Sequence, residues 1–572
     1  MKECRARAGF AFCLAAAAAL GVGWALVVPV GEKPDEPSHL ARIIYEARFG
    51  RSPAVADCPV FPNVVTYEAV QPPVYYWLSA RIVRLLPPIS WSISPARFLG
   101  CVDRSRRFVV EGSEDVPSQV LVLRLIGLGL VLVSGWLVFT TATVLRASPA
   151  QALAAGALAL LTPQVLFVAT GVTNDGLALA IGSLALWLLV RAGATGGAVC
   201  ACGSGMLCML AIGVKLNTVP YLAVAPLLIA GARPKRLRLL ILLFGLGALA
   251  VAGPAFLTLQ WSGGGDQRGL LQRLTLPVAE VGSKDYLGLV PELLTSYWAR
   301  FGWMDVKPLT GVTAVWSVLL ALATLGWVLR CHEGNSRWVP IWLLLASAVF
   351  GWMLTLGSSN QVQGRFLFPL TGVIALLIGR GIGSLPVPGM AVAVAVAATA
   401  CNAAGILQLR GHYRPMEWPA DLVIDARQCD ADRIVLETLS SGAVVGQTFV
   451  CSRPGLAAID VVFSGDPRGS ADVRLVLEDE TTGRMFREAT LPLTDIRVDR
   501  YTRFSFAPVM KSGCRLLRFS LRVTDPDPEG TFSLRFALGD PYIEGVRLVE
   551  GNPRDGDLRF VAWADKAAEV LQ

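Results

Sequence analysis

The stretch FAFCLAAAAALGVGWALVVPVGEKPDEPSH, residues 10–39, changes character at one point. From Phe10 to about Val30 it is apolar and long enough to span roughly 30 Å of hydrocarbon. From Gly31 onward it is acidic and bracketed by prolines. Lys2, Arg5 and Arg7 precede the apolar part, a layout shared with cleaved signal peptides. No clear A-x-A site follows, so the reading is an uncleaved first membrane helix.

The rest of the chain repeats that pattern. Apolar runs lie near 120–145, 150–169, 176–190, 199–213, 218–230, 237–259, 312–329, 339–356, 366–382 and 389–409. With the first helix they predict a polytopic α-helical membrane protein of about eleven transmembrane helices. The chain has 572 residues, 53% hydrophobic and 16% charged. That is far less charge than a soluble domain carries. A single soluble globule, a disordered chain and a collagen or coiled-coil rod are thereby excluded.

Charge placement predicts an orientation. With a cytoplasmic N-terminus, the short inward loops hold Arg146, Arg191, the Arg233–Arg238 cluster, Arg330 to Arg337, and Arg380. Each is basic, as the positive-inside rule asks. The long segments 31–119 and 260–311 then face outward, and an odd span count puts the C-terminus outside too. The expected location is a bacterial cytoplasmic membrane. The net charge of +8 is dispersed or placed at span ends, so no nucleic-acid partner is expected.

Charged residues are more than twice as frequent after Gly411 as before it. There the periodicity changes to short alternating runs at 444–450, 456–463, 471–477, 503–506, 516–523 and 531–538. Gly/Pro/Asp turns separate them. The expected organisation is a transmembrane domain over 1–410 and an extracytoplasmic β-sandwich over 411–572. Phe449, Tyr501 and Tyr542 suggest a carbohydrate-binding module, although such aromatics more often belong to a core. The twelve cysteines form no CxxC pair. Cys200 and Cys202 read as membrane-buried thiols. Cys429, Cys451 and Cys514 fall in the outward domain, and Cys58 with Cys101 is the first candidate disulfide.

The chemistry-bearing residues collect on the outward side. Gly31-Glu-Lys-Pro-Asp-Glu-Pro-Ser-His39 holds Asp35 and Glu36 on a stiff turn, because the prolines fix φ and disfavour helix before them. A bland reading stands beside this one: a solvated loop in which Pro37-Ser38 opens a helix over 39–49. Gln71-Pro-Pro-Val-Tyr-Tyr-Trp77 follows, and its aromatics would also suit a plain interfacial anchor. Asn174 and Asp175, Lys215, and Arg365 in Gln363-Gly-Arg-Phe366 occupy later outward helix ends. Ionisable groups at membrane depth are costly and tend to mark function. Carboxylates with separate Lys and Arg suit an anionic, lipid-linked substrate: the cations bind phosphate and a carboxylate takes a proton from an attacking hydroxyl.

Pro34-Asp-Glu-Pro-Ser-His39 resembles the acidic first-loop motif of GT-C glycosyltransferases. These polytopic enzymes take sugars from polyprenyl-phosphate donors on the outer side of the membrane. With Gln71–Tyr76, Asn174-Asp175, Tyr297-Trp-Ala-Arg-Phe-Gly-Trp303 and Gln363–Phe366, the membrane part resembles a bacterial family catalogued as domain of unknown function 2142. The resemblance implies inverting sugar transfer to a cell-envelope glycan or lipid acceptor. Asp35 would be the general base. Glu36 would share that role, bind a metal or orient the acceptor. His39, Gln71, Tyr75, Asn174, Asp175, Lys215 and Arg365 would bind substrate, with Arg365 and Lys215 on the donor phosphate. His39 would bind phosphate or hydrogen-bond within its own loop. Asp35, Glu36 and Asp175 are the candidate ligands of a divalent cation, Mg2+ or Mn2+. The adjacent Asp-Glu pair departs from the spaced Asp-x-Asp of oligosaccharyltransferases, which leaves metal use open. The alternative is a transporter or flippase of lipid-linked glycans, though inverted repeats and broken helices in matching halves are missing from the sequence.

Overall fold

The computed structural model describes residues 2–53, 71–89, 92–95, 108–111, 116–230, 236–262, 286–330, 336–359, 363–413, 422–428, 434–438, 443–451, 453–465, 471–496, 498, 501–513, 515–524, 532–537, 546–554, 557–558 and 560–565. It divides into two compact units, residues 1–91 with 112–413, and residues 92–111 with 414–572.

The first unit is helical. Its chain order is α1 (Lys2–Val27), α2 (Glu36–Phe49), α3 (Val74–Arg84), α4 (Ser118–Val144), α5 (Pro149–Leu161) and α6 (Pro163–Ala169). Then come α7 (Asp175–Thr195), α8 (Ala198–Ile212), α9 (Val219–Ala230), α10 (Leu237–Ser262) and α11 (Tyr286–Trp298). The last four are α12 (Thr310–Leu329), α13 (Val339–Ser359), α14 (Thr371–Gly383) and α15 (Met390–His412). Every predicted apolar run is helical. Among the described residues, 6 helices are long and apolar enough to cross a membrane, or 7 if the bent pair α5–α6 counts as one span. The bend of 45° falls at Thr162-Pro163, where proline cannot donate to the preceding turn. The other apolar runs, including α8 and α9, count as shorter apolar helices among the described residues, so the number of spans is approximate.

This is a multi-pass membrane protein by its surface as well as by its helix lengths. Trp136 on α4, Leu249 on α10, Val318 and Val328 on α12 and Val396 on α15 are all exposed. Water would penalise such faces and lipid does not. Inside the bundle, small residues bring the helices together. A Cβ added to Gly326 on α12 would lie 1.8 Å from the Gly381 carbonyl oxygen on α14. Gly326→Ala is therefore expected to force these helices apart at a cost of about 1–3 kcal/mol. An unchanged midpoint of thermal unfolding in detergent would contradict this packing.

Alternate helix ends sort into two groups. At one end, Gln151 Nε2 donates to Ser384 Oγ over 2.9 Å. There the Arg380 guanidinium sits over the rings of Trp327 and Trp338, 5.0 and 4.7 Å from their centroids. At the other end lie the junctions α1–α2, α6–α7, α8–α9, α11–α12 and α13–α14. Their residues build the site described below.

The second unit is antiparallel β. It holds β1 (Ser92–Pro95), β2 (Phe108–Glu111), β3 (Leu422–Gln428), β4 (Ile434–Thr438), β5 (Val444–Cys451), β6 (Leu456–Gly465) and β7 (Asp472–Asp479). It continues with β8 (Met485–Pro492), β9 (Tyr501–Val509), β10 (Arg515–Val523), β11 (Phe532–Ala537), β12 (Arg547–Val549), β13 (Asn552–Arg554), β14 (Asp557–Leu558) and β15 (Phe560–Asp565). β1 pairs with β2 alone; of the two larger sheets, one runs β13-β12-β5-β10-β7-β8 and the other β14-β11-β6-β15-β3, with β4 on β11 and β9 on β6. The two share a core: Phe449 and Phe519 of the first sheet lie 5.5 and 5.4 Å, centroid to centroid, from Phe560 of the second. In β7 the alternation that marks a strand is plain, with Val473, Leu475 and Leu477 buried and Arg474 exposed. Phe449 and Tyr501 are buried, so these two aromatics are core and not a sugar platform. Tyr542, Cys58, Cys101, Cys429 and Cys514 lie outside the described residues, and Cys451 is buried.

Candidate active site

The loop after α1 places its two acids in opposite environments. Glu36 opens α2 and is fully buried. Its carboxylate accepts from Arg124 Nε and Nη2 (2.9 and 2.7 Å), Gly31 N (2.8 Å) and Val172 N (3.0 Å). Arg124, from α4, gives its remaining hydrogens to the carbonyls of Ala25, Val28 and Pro29. Ala25 lies in the last turn of α1, where no intrahelical donor is available, and Val28 and Pro29 follow that turn. A guanidinium has five N–H donors and a carboxylate about four acceptor positions, so this pair is saturated. Burial pushes the Glu36 carboxyl up, and Arg124, Lys33 and the Val172 amide outweigh it, leaving it below its ordinary range. The sequence offers Glu36 as a base, metal ligand or acceptor contact; here its carboxylate is taken up by Arg124 and two backbone amides. It is a cross-brace between α1, α4 and the α6–α7 turn.

Lys33 braces the same loop. Its Nζ donates to Thr170 O and Oγ1 over 2.6 and 2.8 Å, beneath the ring of Phe167. Burial and the neighbouring Arg124 hold the amine well below the ordinary lysine range, against the pull of Glu36. Neither Lys33 nor Arg124 stood out in the sequence. Arg124 carried a signal nonetheless, as a charged residue inside a spanning run.

Asp35 occupies the left-handed region, with φ 59° and ψ 4°, and precedes α2 without capping it through its side chain. The helix begins there and not at His39. A non-glycine residue in this region is uncommon, and the braces on either side impose it. The result turns the Asp35 carboxylate away from Glu36 and toward the α13–α14 junction. There Arg365 Nη2 donates to Asp35 Oδ2 over 2.5 Å, while Arg365 Nε donates to Gln363 Oε1 over 2.5 Å. The Asp35 side chain keeps 34% of its surface exposed, against 1% for Glu36. Burial raises its carboxyl, and Arg365, His39 and Lys215 together more than offset that, so it rests below the usual carboxylate range.

The Arg365 backbone is pinned. Gly364 N donates to Ser296 Oγ over 2.9 Å, and a Cβ on Gly364 would lie 2.4 Å from Tyr297 N. Trp303, from the same Tyr297–Trp303 segment, donates Nε1 to Gly31 O over 2.9 Å. The motif residues singled out in the sequence therefore meet in space.

Asp175 opens α7 and accepts from Lys215 Nζ over 2.5 Å and from Thr173 Oγ1 over 3.1 Å. Lys215 lies close enough to influence Asp35 as well. His39 Nδ1 is 2.8 Å from Tyr76 Oη, in keeping with a bond inside its own loop. The Tyr75 phenol is pushed up by burial and lies against Ser79 and Thr173. Asn174 Nδ2 donates to Val214 O over 3.4 Å, and Gln71 offers its backbone carbonyl to Arg42.

Asp35, Glu36 and Asp175 do not converge on one point, and each is ion-paired with Arg365, Arg124 or Lys215. Among the described residues no three His, Cys, Asp or Glu side chains gather to hold a metal ion. This donor set does not fit the expected divalent cation.

A cavity of about 320 Å³ lies between α11 and α12. Leu294, Trp298, Pro308, Trp316 and Leu320 are among its lining, which has no ionisable group. Trp298 and Trp316 stack with centroids 4.3 Å apart.

No family model and no curated protein matches the chain. The likeness to domain of unknown function 2142 therefore rests on its short motifs alone. Among solved structures, the chain is similar to the cryo-EM structure of arabinosyltransferase EmbB from Mycobacterium smegmatis, at TM-score 0.46 and 10% identity. The match covers 96% of this chain and 64% of that one, so this chain spans less than two thirds of that protein's length.

Proposed function

We propose that this protein is a membrane glycosyltransferase of the GT-C type. It takes a sugar from a polyprenyl-phosphate donor and transfers it, with inversion, to a glycan or lipid acceptor of the cell envelope on the outer side of a bacterial cytoplasmic membrane. One observation carries the reading. A partly exposed carboxylate, Asp35, stands at one end of an apolar bundle beside two cations, Arg365 and Lys215, that are held by other helices.

In this mechanism Asp35 accepts the proton of the acceptor hydroxyl as that oxygen bonds to the anomeric carbon. The bond from the anomeric carbon to the phosphate oxygen breaks on the opposite side. The charge that develops on the leaving polyprenyl phosphate is met by the Arg365 fork and the Lys215 ammonium. Asp175 orients Lys215, and Glu36 with Arg124 fixes the loop that presents Asp35. The apolar cavity beside α11 suits the polyprenyl chain, since α11 also carries Ser296, which anchors Gly364 next to Arg365.

The test is turnover by the full chain in lipid. The protein would receive a panel of radiolabelled polyprenyl-phosphate sugars with an envelope lipid and glycan extract as acceptor. Loss of label from the donor lipid, and its gain by acceptor, is the expected result. Labelled donor that crosses the bilayer uncleaved would instead establish a flippase.

A further inference from the structure

The ion pairs at this end of the bundle are not equivalent. Arg124 spends all five donors and meets Glu36 through two of them, with side-chain exposures of 0% and 1%. Arg365 meets Asp35 through a single nitrogen, with exposures of 8% and 34%. Its Nε goes to Gln363, not to the second Asp35 oxygen. One contact is sealed and two-armed; the other is one-armed and open on the Asp35 side.

The open contact joins the two groups that sugar transfer needs apart. A carboxylate bonded to a guanidinium is a poor proton acceptor, and a guanidinium bonded to a carboxylate has fewer hydrogens for a phosphate. We propose that the Asp35–Arg365 pair is a latch opened by the donor: the phosphate of a polyprenyl-phosphate ligand takes the Arg365 guanidinium from Asp35 and leaves that carboxylate free to act as the base. This rests on the reading of the site as a polyprenyl-phosphate-dependent transferase. The latch ties base activation to donor occupancy, so Asp35 stays neutralised until a sugar is in place.

The exchange requires little motion. The Arg365 backbone is fixed through Gly364 against Ser296 and Tyr297, so the exchange is one of side-chain torsions alone. The positive charge of Lys215 also helps to lower the Asp35 carboxyl, and the same charge would favour a phosphate on this side of Asp35. Asp175 keeps Lys215 in place. The Asp35 backbone, in the left-handed region between the Lys33 and Glu36 braces, is held in place while the guanidinium moves.

A double-mutant cycle on farnesyl phosphate binding tests this, using the full chain in detergent and no turnover. Wild type, Asp35→Asn, Arg365→Gln and the double variant are compared. Asparagine is tolerated in the left-handed region, so Asp35→Asn adds no backbone strain. If Arg365→Gln does not fold, Arg365→Lys, which keeps the charge and loses the fork, takes its place. The expected result is about tenfold tighter binding in Asp35→Asn, about tenfold weaker binding in the Arg365 variant, and no tightening by Asp35→Asn in the Arg365 background. Equal tightening in both backgrounds would mean plain charge repulsion and would overturn the latch, as would no tightening at all. Unchanged binding in the Arg365 variant would instead remove Arg365 from the phosphate site, and the transferase reading of that residue would fall first.

Discussion

Asp35→Asn is expected to slow sugar transfer by about 10²–10⁴-fold while leaving the fold intact. The substitution keeps the size of the side chain and its tolerance of positive φ, and removes only the ability to take a proton. Stability should change little, because the pair it breaks is one-armed and its acid is a third exposed. The measurement is label transfer from whichever polyprenyl-phosphate sugar the wild type uses, with thermal unfolding in detergent as the control. Unimpaired transfer would leave the enzyme standing without Asp35 as its base. A loss of activity accompanied by a fall in unfolding temperature would point to structure instead of chemistry.

Arg124→Leu is expected to be the most damaging single change to stability. It leaves the Glu36 carboxylate buried without a counter-charge and removes the donors from three carbonyls at the end of α1. Breaking one side of a buried pair costs about 3–5 kcal/mol. The expected observation is poor recovery of folded protein and a much lower unfolding midpoint. Adding Glu36→Gln should restore part of that loss, because the orphaned charge is what costs most. If the double variant were no more stable than Arg124→Leu, the carbonyl contacts and not the ion pair would be the main brace.

These two predictions separate two neighbours that look alike in sequence. Asp35 and Glu36 are adjacent acids in one proline-bounded loop, and the residue pattern offers both as bases or ligands. Arg124, far away in the chain, claims Glu36; Arg365, farther still, meets Asp35. The partner of a carboxylate cannot be read from its neighbours. The same holds for Asn174, whose amide donates to the Val214 carbonyl.

The membrane architecture was legible without coordinates because it depends on local composition. A run of apolar residues must form a helix in lipid whatever surrounds it, since its backbone groups have no other partner there. All the predicted apolar runs are helical for that reason, with α8 and α9 among the shorter ones of the described residues. The six predicted strands are also present, because one face buried and one exposed writes a period of two into the residues. Weaker strands escaped notice: β8 is a half-exposed edge strand, and β12 and β13 are three residues each.

The gathering of Asp35, Asp175, Lys215 and Arg365 was legible only as a shared side of the membrane. Their distances, the division into one sealed and one open acid, and the absence of a three-ligand metal group among the described residues came from tertiary structure. Composition and periodicity report how each segment meets solvent or lipid. Which charge meets which depends on helix packing, where glycine contacts such as Gly326 on Gly381 and Gly364 on Tyr297 set how closely distant segments approach.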